Sequence, residues 1–147
     1  FFLFERAPFI MKETPRVCTG VIILNPKGEM LLLRSHKFSH HWIVPGGGVE
    51  WGETMEECVR REAKEETGLA ITDVKFLDAD EEIFPKEFHK KQHFIFLDFY
   101  AKTVDTIVVL NDEAEKYQWV LPEAALKMKV NPSTKRFIKK YLHSRDI

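Results

Sequence analysis

Cysteine is the first shortage: Cys18 and Cys58 are the only two, too few for a disulfide framework and too isolated for a cysteine metal cluster. A reducing cytoplasm is therefore the expected compartment. Charge of one sign is missing too. With 22 basic residues against 23 acidic ones the net charge is −1, so no long-range field draws in a polyanion and a long nucleic acid is not an expected partner. No apolar run is long enough for a membrane span. The most apolar stretch, FFLFERAPFI, is interrupted by Glu5, Arg6 and Pro8, and it has neither the basic leader nor the small-residue cleavage site of a signal peptide. Residues 1–11 read instead as an N-terminal extension able to dock on a partner, or as a segment ahead of a second start at Met11. Internal repeats, low-complexity tracts and linkers are also absent, and a chain of 147 residues is expected to form one domain, 1–147.

What is present reads as alternating strands and helices. Val17–Asn25 and Met30–Arg34 are β-rich and flank the turn Asn25-Pro26-Lys27-Gly28, so a hairpin is expected. Trp42–Val44 reads as a short strand entering Pro45 and three glycines. Strands are further expected at Ile71–Ala79, Phe94–Ala101 and Tyr117–Val120, a short helix at Pro122–Leu126 and a longer one at Ser133–His143. On the last helix Phe137, Ile138, Tyr141 and Leu142 share a face, with Lys135, Arg136, Lys139 and Lys140 turned to water. Strands with helices on either side imply an α/β/α sandwich around a mixed sheet.

The segment Gly47–Leu69, GGVEWGETMEECVRREAKEETGL, carries the chemistry. Thr54 followed by Glu57 is a capping box, which starts a helix near Met55, and Gly68 stands where a glycine ends one. At about 100° per residue, Met55, Cys58, Val59 and Ala63 form the apolar arc, and Glu57, Arg60 and Lys64 face water. Glu62 and Glu66 fall inside the apolar arc and Glu65 at its edge. Solvated acids belong on the other face, and unpaired buried ones are costly. A hard cation over that face, Mg²⁺ or Mn²⁺, resolves the conflict.

The pattern G-x5-E-x7-R-E-A-x-E-E-x-G-L in this segment resembles the Nudix box. The resemblance covers 23 of 147 residues and fixes no substrate by itself. It implies the α/β/α fold and hydrolysis of a nucleoside diphosphate linked to another group. It also implies Glu62 and Glu66 as metal ligands, Glu65 as a third or water-mediated ligand, and the Gly46 carbonyl as a companion. Glu53 and Arg61 are implied to hold those ligands in register. Gly47 and Gly48 let backbone approach a phosphate, and the resemblance implies that Arg34, ending the second strand, meets substrate phosphate. The resemblance further implies an acid outside the box that supplies a ligand or the base. Glu113 is the first choice and Glu115 the second, with Glu65, Glu81, Glu82 and Glu87 open.

Other features admit two readings. His36, His40 and His41 lack the spacing of a zinc site and read as loop residues near the site. Pro85–His93 is either a substrate-selecting lid or a plain surface loop. Trp51 is expected to pack the loop rather than to stack on a base. The C-terminal stretch LNDEAEKYQWVLPEAALKMKVNPSTKRF looks like the ends of nucleoside triphosphatases and of GDP-mannose hydrolases, and the intact REAKEE favours the former. The expected reaction is hydrolysis of a (deoxy)nucleoside triphosphate to monophosphate and pyrophosphate. An ADP-ribose or nucleotide-sugar hydrolase, or a nucleotide sensor without turnover, is the alternative. Relatives of this kind are often homodimers, and the apolar N-terminal arm offers a surface for one.

Overall fold

The computed structural model describes residues 13–146, so the expectations for the N-terminal arm lie outside the described residues. Seven strands, β1 (Arg16–Leu24), β2 (Met30–Ser35), β3 (His41–Ile43), β4 (Gly46–Gly48), β5 (Thr72–Ile83), β6 (His93–Lys102) and β7 (Lys116–Val120), form one mixed sheet. Its main path runs β3-β2-β1-β6-β5, with β4 paired to β1 and β7 to β2. β1 and β6 are parallel from Arg16↔Phe94 to Leu24↔Lys102, and the other pairs are antiparallel. The helices are α1 (Met55–Thr67), α2 (Pro122–Ala125) and α3 (Pro132–Arg145).

Alternation along the central strands builds the two layers. Val21, Ile23, Leu31 and Leu33 point to one face and bury Val59 and Ala63 of α1. Ile22, Met30 and Leu32 point to the other and bury Ala125 of α2 with Phe137 and Ile138 of α3. These side chains are nearly fully buried. Each contributes about 1.5–3 kcal/mol relative to exposure if it is Val, Leu, Ile, Phe or Met. The layers are those of the expected sandwich, and no helix among the described residues is long and apolar enough to cross a membrane.

Three local expectations change. The glycines after Pro45 are strand β4, with Gly46 opposite Gly20 and Gly48 opposite Cys18. A Cβ at Gly46 would lie 2.0 Å from the Thr19 carbonyl oxygen, so glycine lets two backbones meet where no side chain fits. Met55 leaves the expected apolar arc: it is exposed at the first turn, and the buried side of α1 is Cys58, Val59, Ala63, Glu66 and Thr67. Arg136 and Lys140 do not face open water alone. They reach acids of β5: Arg136 Nε is 2.8 Å from Asp80 and Lys140 Nζ 3.0 Å from Asp78. A register irregularity between Phe76 and Asp78 puts those acids there. Phe76 pairs with Phe99 and Asp78 with Asp98, so the strand changes face within two residues.

Candidate active site

The helix that carries the box is capped as its sequence requires. Thr54 accepts from the Glu57 N–H at 3.1 Å, Glu57 accepts from the Thr54 N–H at 3.0 Å, and Gly68 closes the helix at φ 75°. This places Glu62, Glu65 and Glu66 at its C-terminal half, with Glu62 and Glu66 against β4. Glu66 is 6% exposed and accepts from the Gly46 N–H at 3.0 Å. A Cβ at Gly47 would fall 2.5 Å from the Glu62 carboxylate, so the second glycine makes room for that acid. Burial, then the neighbouring Glu62, pushes the Glu66 carboxyl far above the usual carboxylate range.

Arg61 binds this cluster together. It donates from Nε to Glu53 Oε2 at 2.6 Å and from Nη2 to Glu53 Oε1 at 3.0 Å. Its Nη1 reaches Glu62 at 2.8 Å and Glu65 at 3.2 Å, and Nη2 also donates to the Gly48 carbonyl at 3.1 Å. These hydrogen bonds hold the Glu53 carboxyl down at about 2. Cys58 lies beneath β4, its Sγ 3.3 Å from Thr19 Oγ1, and burial raises its thiol pKa.

Do these residues fit a divalent cation? Among the described residues no three His, Cys, Asp or Glu side chains are gathered into a ready-made cage. Arg61 occupies the oxygens of Glu62 and Glu65 instead. The chemistry of the pair still fits. Glu66 is a buried acid with only one N–H donor and a second carboxyl beside it, and a cation replaces the proton that such a pair otherwise keeps.

A cavity of about 290 Å³ opens over the pair. Gly46, Gly47, Glu62, Glu66 and Glu113 line one part of it, and Asp98, Asn131, Ser133, Thr134 and Phe137 another. Of the expected residues, Glu53, Arg61 and Glu65 lie behind or beside the pair through Arg61, and Gly48 meets Arg61 through its carbonyl. Arg34 is not among the cavity residues, and its carbonyl accepts from Glu115 in the sheet. The cations that line the cavity are Arg16, Lys37 and Lys90. Lys37 pairs with Glu113 at 2.6 Å, whereas Glu115 pairs with His40. Glu82 neighbours Arg136 at 3.6 Å, Glu81 is exposed, and the Glu87 carbonyl accepts from Ser39.

The segment 85–93 is anchored rather than loose. Phe88 packs on Phe38 and Phe94 with ring centroids 4.7 and 4.9 Å apart, and His89 donates its N–H to the Lys37 carbonyl. Phe88, His89 and Lys90 wall the cavity. His41 donates from Nδ1 to the Phe38 carbonyl at 2.8 Å, and none of the three loop histidines joins a metal cluster among the described residues. Trp51 packs against nothing: it is fully exposed, contrary to its expected role. The residues that sequence reasoning missed are Arg16, Lys37, Asp98 and Asn131. An acid inside the apolar run FIFLDFYA is the one sequence signal that could have found Asp98.

The fold, the capped acidic helix and its glycine strand have the arrangement that the Nudix box implies. Residues 14–141 match the NUDIX domain, and the chain belongs to that family. It is 32% identical over 108 residues to nucleoside triphosphatase NudI of Escherichia coli, covering 69% of this chain and 77% of that protein. It is 35% identical over 117 residues to the NAD-capped RNA hydrolase NudC of Pseudomonas aeruginosa, covering 74% of this chain but only 38% of that longer protein. Among solved structures it resembles the MutT protein of Methanosarcina mazei Go1, with a TM-score of 0.75, 27% identity, and 94% and 100% of the two chains covered.

Proposed function

We propose that this chain is a metal-dependent pyrophosphohydrolase that converts a (deoxy)nucleoside triphosphate to the monophosphate and pyrophosphate. The observation that carries this reading is the pair of half-buried Glu62 and buried Glu66, set against a strand of glycines at the edge of the cavity. Glu62 and Glu66, with Glu65 and the Gly46 carbonyl, would hold Mg²⁺ or Mn²⁺. That ion, when bound, screens phosphate charge and lowers the pKa of a coordinated water. Arg61 keeps the acids in register by holding three carboxylates and the Gly48 carbonyl at once. Lys37 holds Glu113 on the cavity wall, where a carboxylate can accept a proton from an attacking water. Arg16 and Lys90 supply positive charge to the phosphates. Likeness to a nucleoside triphosphatase over most of both chains supports triphosphates ahead of other substrates.

The test is a substrate screen with Mg²⁺ in excess, covering canonical and oxidised nucleoside triphosphates, ADP-ribose, NAD and GDP-mannose, with phosphate and pyrophosphate both detected. Pyrophosphate release from triphosphates is the expected result. Turnover of the dinucleotide or sugar-linked compounds alone would overturn the substrate class, and nucleotide binding without turnover would make the chain a sensor.

A further inference from the structure

β4 is a strand without side chains. Its glycines have nothing to interlock with the helix beneath, so other groups must fix the height of the strand above α1. Pairing with β1 sets its register, with Gly46 opposite Gly20, Gly47 opposite Thr19 and Gly48 opposite Cys18. Glu66 takes the Gly46 N–H, and Arg61 donates to the Gly48 carbonyl. Both of these side chains belong to the acid cluster that β4 has to serve, so they move whenever that cluster rearranges.

A further group lies where α1, β1 and β4 meet. Cys58, on the buried side of α1, is 0% exposed. Its Sγ is 3.6 Å from the Gly47 carbonyl oxygen and 3.5 Å from that of Gly48. Burial raises the thiol pKa, so the S–H stays in place as a donor. With that hydrogen shared between the two carbonyls, the sulfur is left to accept from the Thr19 hydroxyl at 3.3 Å. Thr19 is itself buried, and its hydroxyl has no other partner among the described residues. The contacts therefore run from β1 through the thiol of α1 to β4. A methyl group in place of the thiol would break them on both sides and leave a buried hydroxyl unpaired.

We propose that Cys58 is a positioning residue whose thiol fixes the glycine strand between Thr19 and α1, and so keeps the Gly46 carbonyl and the Gly47 gap around Glu62 in register for the cation. The inference rests on the metal-dependent reading given above and deepens it. Each thiol contact is weak, but a cation site depends on where its ligands stand more than on summed stability. Supporting groups of this kind are worth about 10–100-fold in metal affinity or activity. The plain alternative is a small apolar core residue, as free cysteine often is. The two readings rank the same substitutions in opposite order. For core packing, alanine is the tolerated replacement, and serine, with its buried hydroxyl, is the costly one. For positioning, serine keeps a donor and an acceptor in place, and alanine keeps neither.

Wild type, Cys58→Ser and Cys58→Ala are compared in three ways: Mn²⁺ titration followed by EPR, steady-state kinetics on nucleoside triphosphates, and amide hydrogen exchange at Gly46–Gly48. Cys58→Ala should weaken Mn²⁺ binding and lower kcat by about tenfold each with KM little changed, while Cys58→Ser stays within about threefold of wild type. The β4 amides should exchange faster in Cys58→Ala and at the wild-type rate in Cys58→Ser. Thr19→Val keeps the shape of the side chain and removes its hydroxyl. It should act in the same direction, and combined with Cys58→Ala it should add little, because both cut one set of contacts. Cys58→Ala equal to wild type, or Cys58→Ser more impaired than Cys58→Ala, overturns the proposal. Exchange separates this inference from the reading beneath it. Wild-type protein that neither binds Mn²⁺ nor turns over a triphosphate overturns the metal-dependent hydrolase. Thiol-dependent exchange at β4 then upholds the anchor, and thiol-independent exchange overturns both.

Discussion

Arg61 and Glu53 meet as a two-point pair, Nε to Oε2 at 2.6 Å and Nη2 to Oε1 at 3.0 Å, on the side of Arg61 away from Glu62. The planar fork of the guanidinium can therefore pull on Glu62 and Glu65 from a fixed position. A lysine offers one charge and no fork. Arg61→Lys should lower kcat/KM by about 10–100-fold while the protein stays folded, which steady-state kinetics and a thermal melt will check. The pair also has an acid limit. The Glu53 carboxyl is depressed from 4.5 to about 2 by Arg61, so its contribution is complete above about pH 4.5 and disappears as pH falls through about 2. Glu53→Gln should flatten that part of the acid-stability curve.

Glu66→Gln keeps the shape of a buried side chain and removes its charge. Turnover in Mg²⁺ should fall by orders of magnitude, because a neutral amide is a poor ligand for a hard cation. Stability should not fall, since burial already disfavours the carboxylate. Turnover close to wild type would remove Glu66 from the metal site.

Gly46→Ala tests whether β4 is structural as well as functional. Its new methyl would sit 2.0 Å from the Thr19 carbonyl oxygen, so β4 must separate from β1. We expect a loss of about 1–3 kcal/mol together with loss of activity, read by denaturant melts and kinetics on the same sample.

Asp98 makes a prediction about pH. Burial, then Asp80, raises its carboxyl from 3.8 to about 7. The groups facing it are Asp78 and Asp80 on β5 and Arg136 and Lys140 on α3. Between those two pKa values the folded protein binds more protons than the unfolded chain at this position, so its contribution to stability falls as pH rises and levels off above about 7. Asp98→Asn should remove this slope and should be the more stable form at pH 8 by an amount on the order of a few kcal/mol. Urea melts from pH 4 to pH 8 would show it, and parallel curves for the two proteins would contradict it.

Legibility in the sequence followed the range of the interactions. The box helix was readable because its signals are local: Thr54 and Glu57 cap each other, and Gly68 stops the turn. The central strands were readable from alternation and apolar content. The glycines after Pro45 read as a loop because nothing local in three glycines announces that Thr19 and Gly20 lie against them. The direction of the β5 acids was not legible, because one irregularity between Phe76 and Asp78 turns them toward α3.

Sequence alone determined the family, the capped helix, the acids on its buried side and the glycines that face them, since these depend on residue type and spacing along one short segment. Tertiary structure decided the rest of the cavity. Arg16, Lys37, Asp98 and Asn131 lie far apart in the chain and on four different elements. β1 running parallel to β6 sets Arg16 and Asp98 on one face, the Asn131 N–H bonds the Trp42 carbonyl to bring Asn131 beside them, and the connection Asn25–Gln92 carries α1 and the anchored segment to the mouth of the cavity. Parallel pairing at that separation is set by packing on both faces of the sheet, and no local pattern records it.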